Sequence, residues 1–122
     1  MSKINKFIGN PLEFKWENVH TMAYDDQFSG VTKQIPIGSA ENSANFIIRY
    51  FRLEPGTHSN LESHPHEHGV IVMHGHARLQ INDTFETVGP YDAIFISGGD
   101  LHQFLQQGEE PFGFLCVIKA KS

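Results

Sequence analysis

From Val31 onward, short runs rich in β-branched and aromatic residues recur, and Gly, Pro, Asn or Asp breaks each run after roughly ten residues. That punctuation constrains the fold most. A two-residue period puts alternate side chains on opposite faces of an extended segment, whereas a helix needs an apolar stripe every three to four residues. VTKQIPI (31–37) alternates, and Pro36 demotes it to an edge or a strand end. NFIIRYFRL (45–53) closes at Pro55-Gly56 after a polar connection over 38–45. Val70–Met73 reads as a buried strand, and Gly75 interrupts it at an expected hairpin tip. Ala77–Ile81 and Phe85–Val88 flank a hairpin-type turn at Asn82-Asp83-Thr84. Ala93–Ser97, His102–Leu105 and Phe112–Ile118 complete the set. No amphipathic helix is present, so the chain is predicted to be all-β, a sandwich or barrel of about eight to ten short strands.

The first thirty residues are mixed and weakly periodic, with DDQFSG (25–30) a loop by composition. Leu12, Phe14 and Trp16 alternate, which suits a short strand packed on the body or crossing to a partner. Length, 39% hydrophobic content and ten phenylalanines suit one aromatic-rich core. A formal net charge of −5 argues against nucleic acid, because no basic stripe could neutralise phosphates. The one cysteine, Cys116, forms no internal disulfide and reads as a small buried hydrophobe. No signal segment and no run of about 20 apolar residues stands out, so no membrane association and a cytoplasmic location are expected.

The chemistry concentrates in GTHSNLESHPHEHGVIVMHG (56–75), which carries five histidines and two glutamates. Glu62, His64 and His68 share one parity, so on extended backbone their side chains converge. Imidazole and carboxylate form the ligand set of a catalytic divalent transition metal. A fourth ligand must come from elsewhere, and His102 in GGDLHQF is the candidate. The alternative register, His64-Pro65-His66, puts Val70 at the next ligand position, and Val70 cannot coordinate. His66 and Glu67 are expected near the mouth or toward solvent; His58 reads as loop, His74 and His76 as surface histidines flanking Gly75, and His20 carries no signal. Val70, Val72, Phe104 and Phe114 could line a cavity, and Tyr50 and His66 are the pocket candidates for a general base.

This pattern resembles the cupin superfamily, small jelly-roll β-barrels with a metal in the barrel mouth. The family's first motif is Gly, five residues, His-x-His, three or four residues, Glu, six residues, Gly. Gly56, Glu62, His64, His68 and Gly75 meet every spacing. Glu62 stands where a His is usual and His68 where the Glu is usual, an exchange that conserves three imidazoles and one carboxylate once His102 joins. Of the second motif only Gly99 and His102 remain; Tyr91, Ser97 and Gln106 replace its Gly, Pro and Asn. The likeness is to small single-domain cupins with a His-Pro-x-Glu-His core, and it covers the chain from about Gly30.

The resemblance implies a single cupin domain over 1–122, with a core barrel over about 30–120 and an N-terminal strand or arm over 1–29. It implies one divalent transition metal (Fe, Mn, Ni, Zn, Co or Cu) held by Glu62, His64, His68 and His102. Partners would be a small-molecule substrate or ligand and a second copy in a homodimer. The expected activity is a metal-dependent enzyme, a non-haem dioxygenase ahead of a Lewis-acid lyase, isomerase or decarboxylase. A metal- or ligand-binding module without turnover is the alternative from another class. Neutral imidazoles are needed as ligands, so affinity is expected to fall below about pH 6.

Overall fold

The computed structural model describes residues 1–25 and 28–120. Its strands are β1 (Met22–Asp25), β2 (Phe28–Ile37), β3 (Phe46–Leu53), β4 (His68–His74), β5 (His76–Ile81), β6 (Thr84–Val88), β7 (Ala93–Ile96), β8 (His102–Gln107) and β9 (Phe112–Lys119). Six form one sheet in the order β1-β2-β3-β9-β4-β7, and three form a second in the order β6-β5-β8. Every pairing is antiparallel. This is the all-β architecture that the strand count and turn spacing predict, in the jelly-roll form that the resemblance implies. Among the described residues a 3₁₀ turn at Ser39–Glu41 interrupts the β content, and no helix is long and apolar enough to cross a membrane.

The core lies between the sheets. Val31, Leu53, Val70, Val72, Leu79, Ile96, Phe112 and Phe114 are all buried, and Phe104 stacks on Phe114 at 4.5 Å between ring centroids. Burying each such side chain stabilises the fold by about 1.5–3 kcal/mol. The hairpin read at Asn82 forms as expected, with Asn82 at φ 52° and Ile81 paired to Thr84.

Gly75 does something other than turn a hairpin. β4 and β5 do not pair; the chain passes at Gly75 from the six-stranded sheet to the three-stranded one. Gly75 has φ 74°, and a Cβ there would collide with the Pro111 carbonyl, so glycine is required on both counts. The register also shifts between Val72 and His74, a bulge that changes the face His74 presents. His74 is therefore not a surface residue: it is 4% exposed, whereas His76 is exposed as expected.

β2 is not an edge strand, since β1, which the weak periodicity hid, covers its far side from Met22 to Asp25. Pro36 sits beyond that pairing, near the end of β2 where the register with β3 also shifts. The loop read over 25–30 is shorter, because β2 starts at Phe28; positions 26 and 27 lie outside the described residues. The N-terminal segment folds back as a small hairpin, with bridges Phe7–Trp16 and Asn10–Glu13, and docks on the outer face of the large sheet. Phe14 stacks on Tyr50 at 5.1 Å, Gln34 donates to the Phe14 carbonyl at 2.7 Å, and Arg52 donates to the Leu12 carbonyl at 3.0 Å.

Candidate metal centre

Two stretches separated by forty residues meet through backbone pairing. The Glu62 N–H donates to the His102 carbonyl at 3.1 Å, and the His102 N–H donates to the Glu62 carbonyl at 2.9 Å. This bridge, with His58–Leu105 above it, adds the 58–62 segment to the outer side of β8. A second tie holds the intervening loop: the Gly99 N–H donates to the His64 carbonyl at 2.6 Å. A Cβ on Gly98 would collide with the Pro65 carbonyl, so a bare Gly98 admits the 64–65 backbone at close approach, whereas Gly99 is favoured by its φ of 85°. The residue before the second motif's glycine is thus what lets the first motif's loop lie close.

His68, first residue of β4, and His102, first of β8, project from the two sheets into the same cavity, and His64 joins them from the loop. One ring nitrogen of each lies within 4.8 Å of those of the other two. Ligands bound to one ion by bonds of about 2.1 Å are separated by about 3.0 Å when adjacent and about 4.2 Å when opposite. The three imidazoles therefore sit at the spacing one ion can bridge after small rotations.

The orientation of each ring fits the same use. The Asp100 carbonyl lies 3.0 Å from His102 Nδ1 and accepts its proton, which leaves the Nε2 lone pair free. His68 Nδ1 lies 3.3 Å from Cys116 Sγ, while its Nε2 is buried with no hydrogen-bond partner. An orphaned imidazole nitrogen in a cavity is costly unless something outside the chain meets it, and a metal ion is the partner its chemistry suits. Burial holds the His68 imidazole well below the usual histidine range, at about 4, with His102 and Arg49 adding to the effect. His68 therefore stays neutral well below the pH 6 at which free histidines protonate.

Glu62 stands beside the three histidines rather than among them. Its Oε1 lies 3.2 Å from His64 Nε2 and accepts from the Tyr24 hydroxyl at 3.3 Å. Tyr24, on β1, also accepts from the Asn60 N–H at 3.1 Å. Burial raises the Tyr24 hydroxyl above its ordinary range, and the Glu62 charge adds to this. Sequence reasoning missed Tyr24, and no local signal marks it, because β1 has too little alternation to show which face it presents.

The other candidates divide. Tyr50 is no part of the pocket: it faces the opposite side of β3, where its hydroxyl lies 2.6 Å from His74 Nε2 beneath the N-terminal hairpin. His66 is half-buried, stacked on His64 at 5.1 Å and 10°, and burial together with His64 lowers its pKa. Glu67 is exposed, His58 is half-buried beside Gln103, and His20 is exposed. Val70, Phe104 and Phe114 line the cavity with Val31, Phe51 and Leu53, whereas Val72 is fully buried away from it. Cys116 is free and buried as expected, but it also reaches the site through His68. The cavity holds about 60 Å³. At ~10–15 Å³ per water, it has room for an ion and a few further atoms.

Comparison with known proteins agrees with this fold. The family model described as Cupin domain matches residues 49–118. The chain is 34% identical over 113 residues to a 1-methylthio-D-xylulose 5-phosphate methylsulfurylase of Rhodospirillum rubrum, covering 89% of this chain and 71% of that protein. A solved cupin-2 domain from Rhodospirillum rubrum is 35% identical with a TM-score of 0.81, over 89% of this chain and 74% of that one. A polyketide cyclase of Streptomyces resistomycificus is 25% identical with a TM-score of 0.77, over 85% and 75%.

Proposed function

The chain belongs to the cupin domain family, and we propose that it is a metal-dependent enzyme acting on a small organic carbonyl compound. The observation that carries this reading is the convergence of His64, His68 and His102, with the buried Nε2 of His68 left without a partner. Glu62 is the fourth ligand in this reading. Its separation of 3.2 Å from His64 Nε2 is that of two adjacent ligands of one ion.

A divalent transition ion held there supplies Lewis-acid polarisation of a carbonyl or hydroxyl group bound beside it. The chain's own residues do the rest. Asp100 and Cys116 hold the rings of His102 and His68 with a lone pair directed into the cavity. Tyr24 fixes the Glu62 carboxylate with one hydrogen bond. The apolar floor of Val31, Leu53, Phe104 and Phe114 excludes water, which strengthens each electrostatic contact at the mouth. A xylulose phosphate and a polyketide are both carbonyl compounds, and this favours redox-neutral carbonyl activation over a dioxygen reaction.

Assembly as a homodimer belongs to the same reading. Phe95, Ile71 and Val117 leave an exposed apolar patch across β7, β4 and β9 on the outside of the large sheet.

The test is elemental analysis of protein purified without added metal or an affinity tag, followed by turnover assays. The panel holds ketose phosphates, 1,3-dicarbonyls, uronates, catechols and flavonols, each with and without oxygen. About one ion per chain and conversion under anaerobic conditions are expected. A metal-free protein that fails to take up transition metals would sink the proposal, and turnover only with oxygen would replace the carbonyl reading by the oxygenase one.

A further inference from the structure

Arg49 places an unpaired positive charge in the cavity. It lies on β3 opposite Cys116, and its guanidinium is 4.9 Å from the Phe51 ring centroid. Nη2 donates to Cys116 Sγ at 3.3 Å, and Nε is buried with no hydrogen-bond partner. No carboxylate is within ion-pair distance of it among the described residues, where the ion pairs are Lys3–Glu41, Arg52–Glu54 and Glu62–His64. The contrast with Arg52 is informative. Three residues on and facing outward, Arg52 has both a carboxylate and a backbone carbonyl. Both arginines are partly buried, yet the one beside Glu54 is paired with a carboxylate and the one lining the cavity is not.

Burying an uncompensated charge costs several kcal/mol, and a thiol returns little of that. A guanidinium kept in this setting gains its counter-charge from outside the chain, and its planar fork matches an oxyanion with two equivalent oxygens. Charge counting agrees, on the reading proposed above: a divalent ion, one carboxylate and three neutral imidazoles leave one positive charge, and Arg49 makes two. We infer that Arg49 is the anchor for a carboxylate or phosphate group of the substrate, so the substrate class is a small organic acid or phosphate ester whose reacting end enters the cavity. This inference rests on the metal-centre reading, but it concerns a residue that is not among the ligands.

The experiment is calorimetric titration of the Mn(II)-loaded protein with two probes, glycolate for a carboxylate and methylphosphonate for a phosphate. The wild type binds at least one of them, and the stronger identifies the class. Arg49→Gln weakens that binding about tenfold or more, the loss expected for charge-assisted hydrogen bonds, with metal stoichiometry and melting temperature unchanged. Arg49→Lys, which keeps the charge and loses the fork, falls between. Arg52→Gln, which removes a guanidinium bonded to the N-terminal hairpin outside the cavity, leaves the affinity within about twofold.

Equal anion binding by wild type and Arg49→Gln overturns the inference. So does a loss in Arg52→Gln as large as that in Arg49→Gln, which would make the effect a general one of net charge. If the wild type takes up no metal, the proposed function fails by itself. The same titrations on the metal-free protein then read the guanidinium directly, and no Arg49-dependent binding there overturns the inference too.

Discussion

The imidazole of His74 lies over the bare backbone of Gly113. A Cβ built on Gly113 would collide with His74 Nε2, so glycine at this point of β9 is what lets a histidine of β4 reach the Tyr50 hydroxyl on β3. The Pro111 carbonyl accepts from His74 Nδ1 at 2.8 Å, so Nε2 is the acceptor for the Tyr50 proton. The Phe14 N–H then donates to the Tyr50 oxygen at 3.4 Å. Burial pushes the Tyr50 hydroxyl up to about 12 and the His74 imidazole down, which keeps both neutral. Three strands and the N-terminal hairpin are joined by this relay on the face away from the metal centre.

Gly113→Ala is predicted to destabilise the protein by about 2–3 kcal/mol, because the methyl displaces a ring held at both nitrogens. In a His74→Ala background the same change should cost less than about 1 kcal/mol. Urea unfolding of the four proteins of this cycle measures the coupling. Additive costs would show that the ring and the glycine are independent.

Stability should depend on pH in one direction. His68 and His74 both have folded pKa values below the unfolded one, with His68 at about 4. Between the folded and unfolded values the unfolded chain binds more protons, so stability rises with pH. Metal-free protein is predicted to be most stable above about pH 6.5 and to lose stability as the pH falls toward 4. The urea midpoint measured from pH 4 to 8 checks this, and a midpoint that rises on acidification contradicts it.

Replacing His64 and His102 together by Ala should abolish the bound ion while the far-ultraviolet circular dichroism stays β-type. Glu62→Gln alone should weaken metal affinity by about 10–100-fold, as loss of a carboxylate at a metal site does. Inductively coupled plasma measurement after dialysis reads both. Full metal retention in the double variant would remove the centre proposed for this cavity.

Gly98→Ala acts at a distance from the ring nitrogens. Its methyl meets the Pro65 carbonyl, so the 64–65 loop must move and carry His64 with it. Metal affinity is predicted to fall about tenfold with a stability cost of about 1–3 kcal/mol. An unchanged metal dissociation constant would show that the loop position does not set the site.

Trp16 is the one tryptophan, so its fluorescence reports the N-terminal hairpin. Phe14→Ala removes a ring packed on Tyr50 and Trp16 and should cost about 2–3 kcal/mol with a red shift in emission. The hairpin packs on its own chain, so the wild-type spectrum should not change on dilution. A dilution-dependent red shift would mean that the arm docks on a partner instead.

Much of this was legible from residue order. Glu62, His64 and His68 share parity, and the turn residues at Pro55-Gly56, Asn82 and Gly99 bound strands close to where they form. Tyr50 and Arg49 were not legible. Both parities of β3 carry large side chains, because one face lines the barrel and the N-terminal hairpin covers the other, so alternation there does not say which is inward.

Local order settled what depends on neighbours in the chain, extended backbone and its breaks; the chain bends at 65–66, so His64 and His68 meet through the fold and not through strand parity. Tertiary structure alone decided which side is the interior. Parity is defined only up to a flip, and the flip is fixed by distant strands and bulges, such as the shift between Val72 and His74 that sends His74 outward to Tyr50. The meeting of His102 with His64 and His68, and of Arg49 with Cys116, likewise rests on pairings across β3, β9, β4 and the 58–62 segment. No window of sequence contains those contacts, because the residues that make them are brought together only when the two sheets close on one core.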